Sequence, residues 1–159
     1  MESLVECVPN FSEGSSLETL DAIADVIRGH AGVWLLDQTA DADHQRSVYT
    51  LAGYPGRVMT AMERVVEVAI GRIDMRVQRG KHPRIGAVDV IPFVPLGETT
   101  MEQCVDGARR FAATLAETKE FNKNIHAIAD PGEFLAFIKA NMRKQPDEYA
   151  AIRLINANL

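Results

Sequence analysis

The segment RGKHPRIGAVDVIPFVP, residues 79–95, decides the fold of this chain. It joins a polar, basic loop to a nearly continuous apolar run over residues 87–94, and such a run between turn residues predicts a buried strand. Directly upstream, Pro55 can open a helix, because apolar residues recur there at three- and four-residue steps as far as Ile73. The sequence therefore predicts a helix, a loop and a buried strand in this order.

Outward from this unit, apolar patterns predict further strands and helices in alternation. Strands are predicted at residues 4–8, 33–36 and 47–51, with a weak one at 125–129. Capped helices are predicted to begin near residues 15, 99 and 130. The residues that indicate an N-terminal cap are Ser15 with Glu18, Thr99 with Glu102, and Asp130 with Pro131.

The polar loop over residues 39–45 is too short for a helical crossover, so the strands that flank it are expected to be antiparallel neighbours. Strand-helix-strand units on either side of this hairpin give a split β-α-β plan. We therefore expect a single domain over residues 1–159, of the α/β (α+β) class. It is predicted to be a ferredoxin-like sandwich with a mixed sheet, helices on one face, and an added strand and helix.

Composition narrows the classes of function. The chain has 159 residues, 47% of them hydrophobic and 25% charged, and 17 basic against 22 acidic residues give a net charge of −5. This balance gives no reason to expect a nucleic-acid surface or a membrane anchor. Cys7 and Cys104 lie in apolar patterns without a CxxC motif and are predicted to be reduced core thiols. The sequence MESLVECVPN has no secretion-signal pattern, so we expect a cytoplasmic protein.

His82 is the first candidate for chemistry, because it lies in the basic loop beside Pro83. Histidine titrates near neutral pH, so a histidine on such a loop can take a proton in one step and return it in the next. The alternative is an ordinary surface histidine.

The loop of His82 also carries a cluster of charges. Residues 72–84 contain five cations and one acid, Asp74; the cations are Arg72, Arg76, Arg79, Lys81 and Arg84. Such a patch is suited to an anion, and its charges are expected to favour a neutral imidazole at His82. Alternatively, these cations end a helix, complement its dipole and face water. Arg84, beside His82 and Pro83, is the one we assign to the site.

Two further groups of polar residues lie outside this loop. Asp41, Asp43 and His44 could suggest a divalent metal, but no further ligands are apparent and turn chemistry accounts for them, so no metal site is expected. The turn from Asn10 to Gly14 precedes a predicted helix, whose first N–H groups could hold an anion; ordinary turn chemistry explains it equally well.

Several motifs occur in an order that is typical of one family. They are CVPNFSEG (7–14), LLD (35–37), DADHQRSVYTLAG (41–53), RIDM (72–75) and the HPR of residues 82–84. With them, the chain resembles the N-terminal subdomain of glutamate formiminotransferase from Leu4 to about Leu115. EYAAI, residues 148–152, is similar to the end of that subdomain.

The resemblance implies an enzyme of one-carbon metabolism in histidine breakdown. It would move a formimino group from N-formimino-L-glutamate to tetrahydrofolate, the co-substrate, with His82 as general base. Arg84, Lys81, Arg46 and Asn10 are the candidates for binding folate and substrate. Gln45 stands where the family usually has Asn, and Thr39 where mammalian members have Asp, so no substrate contact is carried over to those two positions.

The family's complete transferase domain has a second α/β subdomain that supplies much of the folate contact. A site built from the first half alone would leave a ligand exposed. The chain is therefore expected to act as a homodimer or with a separate C-terminal partner. The alternatives are a non-catalytic folate- or anion-binding module, and an interaction subunit that awaits such a partner.

Overall fold

The computed structural model describes residues 3–81 and 86–117 and the backbone of residues 150–152. Within these residues the chain forms nine elements: β1 (Ser3–Cys7), β2 (Asn10–Phe11), α1 (Leu17–Arg28), β3 (Val33–Asp41), β4 (Arg46–Gly53), α2 (Pro55–Arg72), β5 (Val88–Gly97), α3 (Met101–Glu117) and β6 (Ala150–Ile152). The strand predicted at 125–129 and the helix predicted from residue 130 lie outside the described residues.

The strands form one sheet in the spatial order β3, β4, β1 with β2, β5, β6. Pro9 separates β1 from β2, yet both pair with β4 and β5, so they are two halves of one central strand. The predicted hairpin is confirmed, because β3 and β4 pair antiparallel along almost their whole length. This order is the ferredoxin-like one with an added strand, as the sequence predicted.

The fold class is confirmed, but the mixed sheet was wrong for the described strands. Every strand pair that the structure describes is antiparallel. The reason lies in the crossovers: α1 carries the chain from β2 to β3 past the place of β4, and α2 carries it from β4 to β5 past β1. Strands that run parallel are therefore separated by an antiparallel neighbour.

The core lies between the sheet and the three helices. Alternate strand residues are fully buried there, among them Tyr49, Leu51 and Phe93, and the apolar faces of α1, α2 and α3 cover them. Phe93 meets Phe111 of α3 edge to face, with ring centroids 5.7 Å apart. Intervening residues such as Leu4 are only half-buried. Helices on one face are thus confirmed; that residues 1–159 form a single domain stays a prediction.

Two core groups carry shifted pKa values because they are removed from water. Burial raises the pKa of Tyr49 to about 12, and its hydroxyl donates a 2.9 Å hydrogen bond to the Leu20 carbonyl. Burial likewise raises the pKa of the Cys7 and Cys104 thiols, both of which are free. The prediction of core thiols is confirmed.

Helix starts fall within a residue or two of the predicted positions. Pro55 opens α2 as predicted. The caps of α1 and α3 are each one residue later than expected: the Ser16 hydroxyl accepts from the Thr19 amide, and Thr100 and Gln103 cap each other.

The edge strand β3 is longer than predicted and irregular. It continues to Asp41, which pairs with Arg46, so the connection to β4 shrinks to residues 42–45. Its register shifts between Leu35 and Asp37, and Leu36 at this bulge is 60% exposed.

Candidate functional site

Three separate stretches meet at one end of the sheet: the loop after β2 (residues 12–16), the β3–β4 turn (42–45) and the segment after α2 (73–81). We call these residues the loop junction. Gln78 of the third stretch donates a 2.8 Å hydrogen bond to Glu13 of the first. Lys81 of the third pairs with Asp43 of the second, with 3.2 Å between its Nζ and the carboxylate. The described parts of the three groups of candidates that the sequence indicated separately therefore lie side by side.

Asn10 and Arg46 lie directly beside the loop junction and contact each other. The Asn10 Oδ1 atom accepts a hydrogen bond from an Arg46 Nη2 atom, while the Asn10 Nδ2 atom donates to the Val8 carbonyl at 2.8 Å. Asn10 pairs with Val48 across the sheet, and Arg46 is two residues before Val48. Because strand side chains alternate, both candidates lie on the sheet face opposite the core residue Tyr49.

Glu13 is the buried charge of the loop junction and was not singled out from the sequence. Its Oε1 atom accepts from the amides of Ser15 and Ser16, each at 2.8 Å, and its Oε2 atom accepts from Gln78. Burial alone would raise the pKa of this carboxyl group. The hydrogen bonds from Ser16, Ser15 and Gln78 outweigh that effect, so the pKa lies below its ordinary value.

The amides of the turn that precedes α1 are thereby taken up by acceptors of the chain itself. Glu13 holds two of them, and the Gly14 amide donates to Gln45 at 3.4 Å. An anion at this turn, one of the two sequence hypotheses, would have to displace Glu13.

The backbone of the β3–β4 turn has a left-handed conformation at Gln45. Gln45 has a φ of 51°, in the left-handed region where Asn is among the best tolerated residues after Gly. Its longer side chain reaches across to the hydroxyl of Ser15 and bonds the Ala42 carbonyl, so it joins the turn to the loop after β2. Thr39 lies exposed on β3 outside this contact.

The acids of the turn are engaged by local partners. Asp41 accepts from the His44 amide at 2.8 Å and lies 3.0 Å from the His44 ring, and these hydrogen bonds lower the pKa of Asp41. Among the described residues, no group of three or more His, Cys, Asp or Glu side chains could hold a metal ion.

The predicted cationic patch is partly neutralised. Arg72 pairs with Glu18, and Arg79 donates to the carbonyls of Arg76 and Gln78. Arg76 and Asp74 form a two-armed pair, and these hydrogen bonds lower the pKa of Asp74 to about 2. The described cations of residues 72–81 therefore all have acceptors, and the local field is weaker than the count of charges suggested.

His82 and Arg84 lie outside the described residues, but both flanks of their segment are described. On one side, the Lys81 amide donates to the Asp43 carbonyl at 3.1 Å; on the other, the Ala87 carbonyl accepts from the Ser12 amide at 3.0 Å. Lys81 and Ala87, the described residues on either side of this segment, therefore both contact the loop junction. The roles of His82 and Arg84 stay predictions.

In the described parts of the chain, the three helices are each too short or too polar to span a membrane.

Comparison with known proteins identifies the family. Residues 4–152 match the family described as the formiminotransferase domain, N-terminal subdomain. The chain is similar to the formimidoyltransferase-cyclodeaminase of Rattus norvegicus, with 45% identity over 133 residues, which are 84% of this chain and 24% of the rat protein. It is also similar to the glutamate formimidoyltransferase of Streptococcus pyogenes serotype M1, with 42% identity over 112 residues, 70% of this chain and 38% of the relative.

A further glutamate formimidoyltransferase, from Thermoplasma acidophilum, is 45% identical over 115 residues, 72% of this chain and 38% of the relative. The chain thus spans less than two fifths of the length of these curated relatives. It belongs to the formiminotransferase domain family, as a member of its N-terminal subdomain class.

Proposed function

We propose that this chain provides the catalytic half of a glutamate formimidoyltransferase site, with N-formimino-L-glutamate as donor and tetrahydrofolate as acceptor. The observation that carries the proposal is the family match over residues 4–152, which includes the HPR motif at residues 82–84. The loop junction supports it, because Asn10, Arg46 and Lys81 lie on or beside the three stretches that converge there.

In the proposed reaction, N5 of tetrahydrofolate attacks the amidine carbon of the formimino group. His82 takes the proton that N5 loses as the new carbon–nitrogen bond forms. The bond from that carbon to the glutamate nitrogen then breaks, and the protonated His82 returns the proton to the departing nitrogen. One histidine thus serves as base and then as acid, and no proton is gained or lost overall.

The basic and polar residues around this position are proposed to bind the two substrates. Arg84 and Lys81 are proposed to hold carboxylate groups of the glutamate-bearing substrates, since both carry a full positive charge beside residue 82. Arg46 and Asn10, which contact each other on the sheet face opposite the three described helices, are proposed to hold the folate.

The other wall of the site must come from outside the described residues. We propose that a second copy of the chain in a homodimer, or a separate C-terminal partner, supplies it. The small share of its relatives that the chain spans supports this requirement, because a half-open cleft leaves a ligand exposed to water.

The test is a transfer assay with formiminoglutamate and tetrahydrofolate, which measures 5-formiminotetrahydrofolate formed. The chain is assayed across a concentration series, alone and with the C-terminal part of the Streptococcus pyogenes relative added. We expect His82→Ala to lower the rate by about 10²- to 10⁴-fold. His30→Ala is the matched control, because His30 lies after α1, where its ring contacts the Val26 carbonyl, and should keep the parent rate.

Equal rates in both variants would remove His82 from the mechanism. If no arrangement gives turnover, titration with 5-formyltetrahydrofolate separates the alternatives: binding would indicate a non-catalytic folate module, and its absence an interaction subunit.

A further inference from the structure

We propose that Glu13 is a positioning residue that holds segment 73–81 on the loop after β2 and so fixes Lys81 relative to Asn10. The expected effect of Glu13 on the transfer reaction rests on the proposed function. The structural part of the proposal stands on the contacts of Glu13 alone.

The two oxygen atoms of Glu13 connect different parts of the chain. Oε1 accepts from the Ser15 and Ser16 amides and lies 3.2 Å from the Ser15 hydroxyl, so the carboxylate is locked onto its own loop. Oε2 accepts from the Gln78 amide group at 2.8 Å, which is 65 residues away in sequence. One side chain therefore spans from the start of α1 to the segment after α2.

This contact differs in kind from the side-chain pair of Lys81 and Asp43, which joins the same segment to the β3–β4 turn. Glu13 is only 5% exposed, and a hydrogen bond to a buried ionised group is among the stronger ones in proteins. The Lys81–Asp43 pair instead has side chains that are 70% and 76% exposed, and water and salt screen such a pair. Glu13 therefore holds segment 73–81 more firmly than this side-chain pair does, alongside the backbone hydrogen bond from the Lys81 amide to the Asp43 carbonyl.

The placement matters because Lys81 comes three residues after Gln78 and directly before residue 82. Small displacements of groups that hold a substrate can cost large factors in rate. Loss of the Gln78 contact would leave Lys81 held only through Asp43 and would leave the hydrophobic core untouched.

The test exchanges the donor and the acceptor of the hydrogen bond between Gln78 and Glu13. Gln78→Glu places two carboxylates face to face and should break the contact. Glu13→Gln combined with Gln78→Glu reverses the pair: the new amide at 13 keeps its oxygen on the Ser15 and Ser16 amides and donates its N–H to the new carboxylate at 78. The double variant also has the parent net charge. Gln103→Glu is the matched control, because it adds the same charge at the exposed start of α3 and keeps an acceptor for the Thr100 amide.

The direct readout is limited trypsin cleavage after Arg79, followed by mass spectrometry well below the melting temperature. Cleavage should be about tenfold faster or more in Gln78→Glu, and should return to the parent rate in the double variant. The control should match the parent. Parent-like cleavage in Gln78→Glu, or failure of the double variant to recover, would overturn the proposal.

The second readout is the transfer assay, in which kcat/KM should fall about tenfold in Gln78→Glu and recover in the double variant. Unchanged kcat/KM together with faster cleavage would overturn the role of Glu13 in the site. A parent protein that catalyses no transfer would instead contradict the proposed function, and the cleavage rates would still decide whether Glu13 anchors the segment.

Discussion

The hydrophobic sandwich and the loop junction are held together by different chemistry. In the sandwich, side chains such as Phe93 and Leu51 are fully buried, and their stabilisation grows with the apolar area removed from water. In the loop junction, directional contacts such as Glu13–Gln78 and Asp43–Lys81 join residues 65 and 38 positions apart. The sandwich should therefore set the free energy of unfolding, while the loop junction should set geometry at the proposed site.

The largest expected effect is in the sandwich. Phe93→Ala removes a ring that packs edge to face on Phe111, and it should lower the free energy of unfolding by about 3–5 kcal/mol. Denaturant titration followed by circular dichroism measures the change. A loss below about 1 kcal/mol would mean that the sandwich does not dominate stability.

A backbone contact at the loop junction should give the next largest effect. A Cβ atom on Gly14 would overlap the Asp41 carbonyl oxygen and lie 2.7 Å from the Arg46 amide nitrogen, and neither backbone atom can move freely. Gly14→Ala should therefore destabilise by about 1–3 kcal/mol.

Gly56→Ala is the matched control for Gly14→Ala. Apart from the adjacent residues and the helix backbone, no atom of the described residues lies within 4 Å of a Cβ at Gly56, in the first turn of α2. Alanine there should therefore be neutral or stabilise by up to about 1 kcal/mol. Thermal melts of both variants test the contrast. Equal melting temperatures would contradict the close approach of the two loops.

Lowering the pH should weaken the loop junction by protonating Glu13. Because the pKa of Glu13 in the folded protein lies below its ordinary value of 4.5, its ionised form stabilises the fold. That contribution is complete above about pH 4.5 and is lost as the pH falls through the folded-state pKa. Glu13→Gln should thus be less stable than the parent at pH 7, and the difference should shrink toward pH 3.

Stability measured by denaturant titration at several pH values tests this expectation. Glu67→Gln is the control, since Glu67 forms an exposed pair with Arg64 on α2. A difference between Glu13→Gln and the parent that is constant from pH 7 to pH 3 would contradict the shifted pKa.

The smallest effect on stability is expected for Lys81→Ala, at about 0–1 kcal/mol, because the Asp43 pair is exposed. Lys81→Ala should change the binding of ligand more than it changes the free energy of unfolding. Binding of 5-formyltetrahydrofolate should weaken and depend less on salt, since a screened charge has been removed. An equal salt dependence in parent and variant would indicate that Lys81 does not meet the ligand.

The sandwich could be predicted from sequence because local periodicity encodes it. Three- and four-residue steps after Pro55 and the apolar run at 87–94 each report burial directly, and the short loop between two strand patterns required a hairpin. The mixed sheet was wrong because periodicity does not tell which strands become neighbours. That depends on how each crossover helix returns the chain to the sheet.

The loop junction could be predicted only in part. Lys81 was found through the cluster of cations, Asn10 through the turn before a predicted helix, and Arg46 through motif resemblance. Their contacts involve partners that no local pattern connects. Glu13 was missed because its role depends on Gln78, and neither residue has a periodicity or motif of its own. The one local signal was an acid three residues before Ser16, at a turn leading into a helix, where a carboxylate can accept the first amides.

The position of the first strand has a consequence for how the chain is made. β1 is central in the sheet, and its residue Ser3 pairs with Gly97 of β5. During synthesis the N-terminal strand can find one neighbour in β4, but its other edge stays open until β5 has left the ribosome. Such non-local pairing slows folding and leaves unpaired strand edges exposed to association for longer. Nascent chains that stop before residue 88 should therefore depend on chaperones more than chains that extend past residue 97.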